Sequence, residues 1–258
     1  MTLWVRFDGG FGVLNGDTIA VHDGTMFGAN APTGAVRNLA ETRLLAPVQP
    51  GKFIGLWNNF HAVAARTGHP APDVPLYFLK ATSSIIGPED GFRAPPSYSG
   101  KVVYEGELGV VIGTRCFDVS EAEAEAHIFG YTCVNDITAA DLFFAADPES
   151  PSFPQWARAK GCDGFGPIGP AIATGIDPMG ASVKVTLNGR ERQNYPLSDM
   201  ILPPARIVSL LSREMTLMPG DVIACGTSVN ALPMRPGMVV EVSIEGIGTL
   251  RNHYLALG

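Results

Sequence analysis

Glu105 and Glu107 stand two residues apart in Tyr104-Glu105-Gly106-Glu107-Leu108-Gly109-Val110-Val111-Ile112-Gly113, where apolar residues recur at every second position. Read as a β-strand, the stretch puts Tyr104, Leu108, Val110 and Ile112 on one face and Glu105, Glu107, Gly109, Val111 and Gly113 on the other. Two like charges on one strand face repel, and a bound divalent cation turns that cost into a gain. The glycines are expected to leave space above the carboxylates for such an ion. The competing reading is a solvated edge strand with two surface glutamates. A hard cation wants at least three oxygen ligands, and Asp136, at the end of a second strand-like run, is the best-placed third.

The elements that must hold these residues can be read from periodicity and turn chemistry. Residues 1–48 read as a small β module, with strands at Leu3–Phe7 and Thr18–His22, turns at Asp8-Gly9-Gly10 and Asn15-Gly16-Asp17, and a helix from Ala35 to Leu44. A larger domain, 49–258, opens with a buried strand at Lys52–Trp57 and a short helix over Asn58–Arg66 that carries His61. Gly87–Gly100, rich in Pro and Gly, is expected to be loop. Ser120-Glu121-Ala122-Glu123 is a capping box, and the glutamates of this segment form a solvated helix face. Ile128–Asn135 reads as the strand that delivers Asp136, with Thr138 and Asp141 spaced to cap a helix. Asp147–Pro154, interrupted by prolines, is a candidate lid. Beyond it come a hairpin at Asn188-Gly189, a helix over Pro204–Met215, a strand at Asp221–Cys225 and an alternating run from Met238 to Ile244. This is a mainly β (α+β) chain, expected to form a rolled or sandwich-like mixed sheet.

Composition narrows the partners. With 18 Lys and Arg against 25 Asp and Glu, a net charge of -7 argues against nucleic acid or an anionic membrane and leaves a small molecule. Cys116, Cys133, Cys162 and Cys225 have neither zinc spacing nor a disulfide framework, so they read as free thiols in a reducing cytoplasm. No signal peptide and no run of transmembrane length is evident.

Four motifs, in order, resemble the fumarylacetoacetate hydrolase family: Glu105 to Gly113, Gly130 to Asp136, Lys160 to Pro167 and Pro219 to Thr227. The resemblance implies the β-rich fold of that family, a homodimer, and magnesium or manganese held by Glu105, Glu107 and Asp136, calcium being an alternative for the same donors. It further implies a 2-oxo or enol carboxylate that chelates the metal, Lys160 stabilising a developing enolate, and Gly226 and Thr227 holding the substrate carboxylate. Arg158 could share the face of Lys160 and bind a distal carboxylate. Tyr104–Gly113, Val119–Ala122 and Met215–Asp221 look most like the homoprotocatechuate-pathway decarboxylase/isomerase branch, which acts on acids of the 2-hydroxyhepta-2,4-diene-1,7-dioate type in aromatic catabolism.

Two departures matter. Family members often pair a helix His with a Glu three residues later as a base for water; here His61 is present but Ala64 stands where the Glu belongs. Ala140 and Phe143 replace the Arg and Gln of hydrolytic members. Decarboxylation or isomerisation, which need no activated water, therefore come ahead of acylpyruvate-type carbon-carbon hydrolysis with His61 as base. A non-catalytic binder of metal and 2-oxo acid is the alternative of another class.

Overall fold

The computed structural model describes residues 1–143 and 155–256; the lid expected at Asp147–Pro154 lies outside them. Among the described residues, a twelve-stranded sheet carries ten strands in one path: Asn30–Asn38, Thr18–Gly24, Gly10–Asn15, Thr2–Phe7, Gly166–Thr174, Ile128–Asn135, Gly106–Ile112, Val222–Ala224, Phe53–Trp57 and Leu76–Lys80. Most neighbours are antiparallel, but Val222–Ala224 runs parallel to Phe53–Trp57, so the sheet is mixed. Residues 1–48 extend this sheet, because Thr2–Phe7 pairs with Gly166–Thr174. A five-stranded sheet, ordered Arg190–Pro196, Ser182–Leu187, Val239–Ile244, Gly248–Tyr254 and Gly91–Phe92, lies against one face. The mainly β architecture read from the alternation is the one observed.

Gly106–Ile112 is at the centre, and all seven of its residues are buried. Its side chains alternate as expected: Leu108, Val110 and Ile112 join a core with Val183, Val185 and Val242 of the second sheet, whereas Val111 joins Phe53, Val134 and Ile168 on the other side. A solvated edge strand is thereby excluded. Gly106 lets the sheets approach, since a Cβ there would lie 2.3 Å from Val185. The space expected above Gly109 and Gly113 is filled instead by Val134, Thr132 and Phe129. These two glycines serve packing rather than ligand access.

Two local expectations change. Residues expected to begin a helix at Ala35 continue the strand Asn30–Asn38, paired to Thr18–Gly24 with Ala20 opposite Val36, and only Leu39–Glu41 forms a helical turn. An available strand edge captures Ala35 to Asn38, and pairing with Thr18–Gly24 overrides their helical composition. Thr138 caps no helix; Thr138–Ala139 pairs with Val102–Val103, and the helix starts at Ala140. By contrast, the Ser120 capping box is present at both hydrogen bonds.

Asp221 of the Pro-Gly-Asp motif is structural. Fully buried, it accepts from the Lys52 and Met218 backbone N–H groups and pairs with Lys52 Nζ at 2.5 Å, which ties the turn to the start of Phe53–Trp57.

Candidate metal centre and active site

Sheet register brings the acidic residues together. Gly106 faces Asn135 across the antiparallel pair, so the preceding Glu105 meets the following Asp136, whose N–H donates to Glu105 O at 2.8 Å. Asn135 Oδ1 accepts from the Glu105 N–H, fixing that strand end. One carboxylate oxygen from each of Glu105, Glu107 and Asp136 lies within 4.8 Å of the other two. Glu107 and Asp136 are wholly buried.

The partners of these oxygens are unequal. Asp136 has both occupied: Oδ1 accepts from Lys80 Nζ and Oδ2 from Lys160 Nζ, each at 2.5 Å. Glu105 Oε2 accepts from Lys160 Nζ at 2.6 Å, and Oε1 from the Thr138 hydroxyl at 3.0 Å. Glu107 Oε2 accepts from the Gly226 N–H at 2.7 Å, but its Oε1 is buried with no hydrogen-bond partner. A buried carboxylate oxygen without a donor is costly in a protein interior. An all-oxygen donor set with one bare carboxylate oxygen fits a hard divalent cation such as magnesium, manganese or calcium.

The electrostatics agree. Burial, then the carboxylates of Asp136 and Glu105, push Glu107 well above the usual carboxylate range. Burial raises Glu105 as well, against the pull of Lys160. Burial would also raise Asp136, yet the ammonium groups of Lys160 and Lys80 hold it below its ordinary value. Burial would lower Lys160, but Asp136, Glu105 and Glu107 together raise it, keeping it charged. Three carboxylates thus face two ammonium groups, and Glu107 is the member with no direct ion pair among the described residues.

Several of these supports carry no local sequence signal. Lys80 ends the strand Leu76–Lys80, where Phe78 and Lys80 turn inward while Leu79 is 49 % exposed, the reverse of the pattern hydrophobicity suggests. Replacing Lys80 by Met leaves Asp136 Oδ1 buried and unpaired; a loss of about 3–5 kcal/mol in unfolding free energy is expected, read by urea titration. A variant as stable as wild type would mean that Lys80 does not neutralise Asp136.

Gly226 and Thr227 sit beside Glu107. Gly226 has φ +91, which a side chain would strain, and the turn aims its N–H at Glu107. The Thr227 hydroxyl donates to Gly106 O and accepts from Gln193 Nε2, each at 3.0 Å. Gln193, buried on Arg190–Pro196, also donates to Ser228 O and Val229 O and so pins this loop from the second sheet.

A cavity of about 400 Å³ opens beside the cluster. Glu105, Lys160 and Thr227 line one part of it; Trp57, Phe78 and Phe143 give it an aromatic wall. Lys160 Nζ lies 4.9 Å from the Phe78 ring centre and 5.2 Å from that of Phe143, within cation–π range. His61 and Arg158 are not brought to this lining among the described residues. His61 is exposed at the start of the helix His61–Thr67, and Arg158 is exposed with Nη1 3.4 Å from Gln155 Oε1.

Comparison with known proteins bears on this geometry. The family model described as fumarylacetoacetate (FAA) hydrolase C-terminal matches residues 52–254. The chain belongs to the fumarylacetoacetate hydrolase family. An N-terminal model, described as Rv2993c-like, matches residues 4–47. Protein Rv2993c of Mycobacterium tuberculosis is 40% identical over 235 residues, 90% of this chain and 86% of that protein. Among solved structures of the fumarylacetoacetate hydrolase fold, the chain is similar to a 2-hydroxyhepta-2,4-diene-1,7-dioate isomerase from Mycobacterium marinum, with TM-score 0.90, 35% identity and complete coverage of both chains. It is also similar to a fumarylacetoacetate hydrolase from psychrophilic Exiguobacterium antarcticum, with TM-score 0.85, 31% identity and complete coverage of both. These structural relatives are enzymes, and enzymes of the fumarylacetoacetate hydrolase family typically use a divalent metal. No helix among the described residues is long and apolar enough to cross a membrane.

Proposed function

We propose that this protein is a magnesium-dependent decarboxylase or isomerase of 2-oxo or 2-hydroxy-enol carboxylic acids. The observation that carries the reading is the bare, buried Oε1 of Glu107 within a trio of carboxylates. Glu105, Glu107 and Asp136 would hold the ion, which when bound supplies Lewis acidity toward the carboxylate and 2-oxygen of the substrate. Lys160 keeps a positive charge in the same place. As the bond from C3 to a carboxyl group breaks and carbon dioxide leaves, its electron pair becomes the C2–C3 double bond and negative charge gathers on the 2-oxygen. Lys160 stabilises that charge and can donate its proton there. In isomerisation of a 2-hydroxy-2,4-diene acid the 2-hydroxyl proton leaves and a proton is added at C5, so the double bonds move to C2–O and C3–C4, and the same ammonium stabilises the dienolate in between. Phe78 and Phe143 exclude water from the reacting carbons and present an apolar surface to an unsaturated chain.

Hydrolysis would ask more of the chain. Water must be activated, yet among the described residues His61 has no hydrogen-bond or ion-pair partner, and Ala64 is buried where a carboxylate would stand. The deciding experiment is a panel of 2-oxo and enol acids with magnesium, following ultraviolet loss of the enol and release of carbon dioxide. Decarboxylation or double-bond migration without solvent oxygen in the product supports the proposal. Labelled solvent oxygen in a cleaved carboxylate would establish the hydrolase reading instead.

A further inference from the structure

The cavity lining carries two cationic side chains, Lys160 and Arg66, and only Lys160 is used by the chemistry above. Glu105 and Lys160 are paired with each other, and Lys160 also with Asp136. The remaining charged residue of the lining, among the described residues, is Arg66, which has no ion-pair or hydrogen-bond partner there. Trp57, Val63 and Phe78 supply apolar lining to the same cavity. Arg66 is presented by the helix His61–Thr67, on which Val63, Arg66 and Thr67 share one face at i, i+3 and i+4 and all line the cavity.

That helix is fixed from outside its own sequence. Phe60 supplies no capping side chain, and the Ala62 N–H donates instead to Asp199 Oδ2 at 3.1 Å. Just before it, Phe60 bridges to Met200, and Asn59 is bonded to Leu202 in both directions and to Cys225 O. Ala64 is buried on the anchored side. The helix is therefore held in place beside the cavity, with Arg66 among the residues that line it.

We infer that Arg66 is a specificity determinant that receives the distal carboxylate of a dicarboxylic substrate whose 2-oxo acid head lies at the Glu105, Glu107 and Asp136 cluster. The inference rests on the functional reading above. A guanidinium forms paired, charge-assisted hydrogen bonds with a carboxylate. An apolar spacer between the two anionic ends suits the apolar lining of Trp57, Val63 and Phe78. A cavity of about 400 Å³ is near the lower end of the roughly 300–1,000 Å³ usual for ligand sites, which suits a small acid.

The test uses two acids of equal length that differ only at the far end, 2-oxoadipate and 2-oxohexanoate, titrated calorimetrically into the full-length protein with magnesium. Wild type is expected to bind 2-oxoadipate about tenfold or more tightly, the usual scale of a charged hydrogen-bond pair. Arg66→Ala should bring 2-oxoadipate down to the level of 2-oxohexanoate and leave the latter unchanged, with Arg66→Lys restoring part of the difference. Arg66→Glu should invert the preference. Equal affinity of wild type for the two acids, or a preference that survives Arg66→Ala, overturns the role of Arg66 while leaving the head-group reading intact. Failure of wild type to bind either acid overturns that reading and this inference with it.

Discussion

Glu107→Gln is expected to abolish both divalent-metal binding and turnover while leaving the fold intact. The side chain is wholly buried, one oxygen is held by the Gly226 N–H, and the other has no partner. Glutamine keeps the volume and an acceptor for Gly226 but removes the charge that a cation requires. Losing several kcal/mol of charge stabilisation at the reacting oxygen corresponds to roughly a thousandfold in rate. In the metal-free protein the change should be neutral or stabilising, because it removes the carboxylate whose ionisation burial and its neighbours oppose. The same opposition sets the sign of the pH dependence. A group raised in the folded state binds more protons folded than unfolded, so metal-free wild type should lose stability as pH rises from the ordinary carboxylate range through the raised value. Magnesium competes with that proton, and its thermal shift should grow as pH rises; in Glu107→Gln the shift should vanish. Retained activity in Glu107→Gln would sink the metal assignment.

The parts of this site legible in the sequence are those whose information is local. Glu105 and Glu107 show themselves because two like charges share one face of a strand with no counter-charge beside them, and Ile128–Asn135 ends where it should to deliver Asp136. The supports come from far along the chain. Lys80 reaches Asp136 across 56 positions, and Gln193 reaches Thr227 from the other sheet. Neither is marked by periodicity; Lys80 contradicts it, with a lysine inward and a leucine outward. Thr138 shows the same limit, since its spacing to Asp141 fits a cap but its hydroxyl is used on Glu105. The end of the strand Asn30–Asn38 reads as helix because Ala35–Leu44 has helical composition, while its true partner edge is specified elsewhere. Gly226 is legible through a family motif, but the bond from its N–H to Glu107, 119 positions away, is not.

These long-range supports give the two lysines different jobs. Lys80 is sequestered with Asp136 and the Ile137 carbonyl and does not line the cavity; its charge makes a buried Asp136 tolerable. Lys160 borders the cavity and touches two of the three carboxylates from the end of the helix Trp156–Lys160. One ammonium serves stability, and the other is positioned for chemistry.

Lys160→Met should therefore separate binding from catalysis. Methionine approximates the length and apolar stem of lysine, so packing against Phe78 and Phe143 is largely kept. Turnover should fall by about 10²–10³-fold, the cost of removing one positioned donor at a developing oxyanion. Magnesium affinity should stay the same or rise, because Lys160 competes for Glu105 Oε2 and Asp136 Oδ2, oxygens that a cation would also use. Isothermal titration with magnesium beside steady-state rates on the best substrate checks both directions. A parallel loss of metal affinity and rate would instead assign Lys160 to assembling the cluster, and an unchanged rate would remove it from the reaction. The opposed signs come from charge: with Lys160 present, three carboxylates face two ammonium groups, and a dication must share them; without it, the same carboxylates face Lys80 and the dication alone.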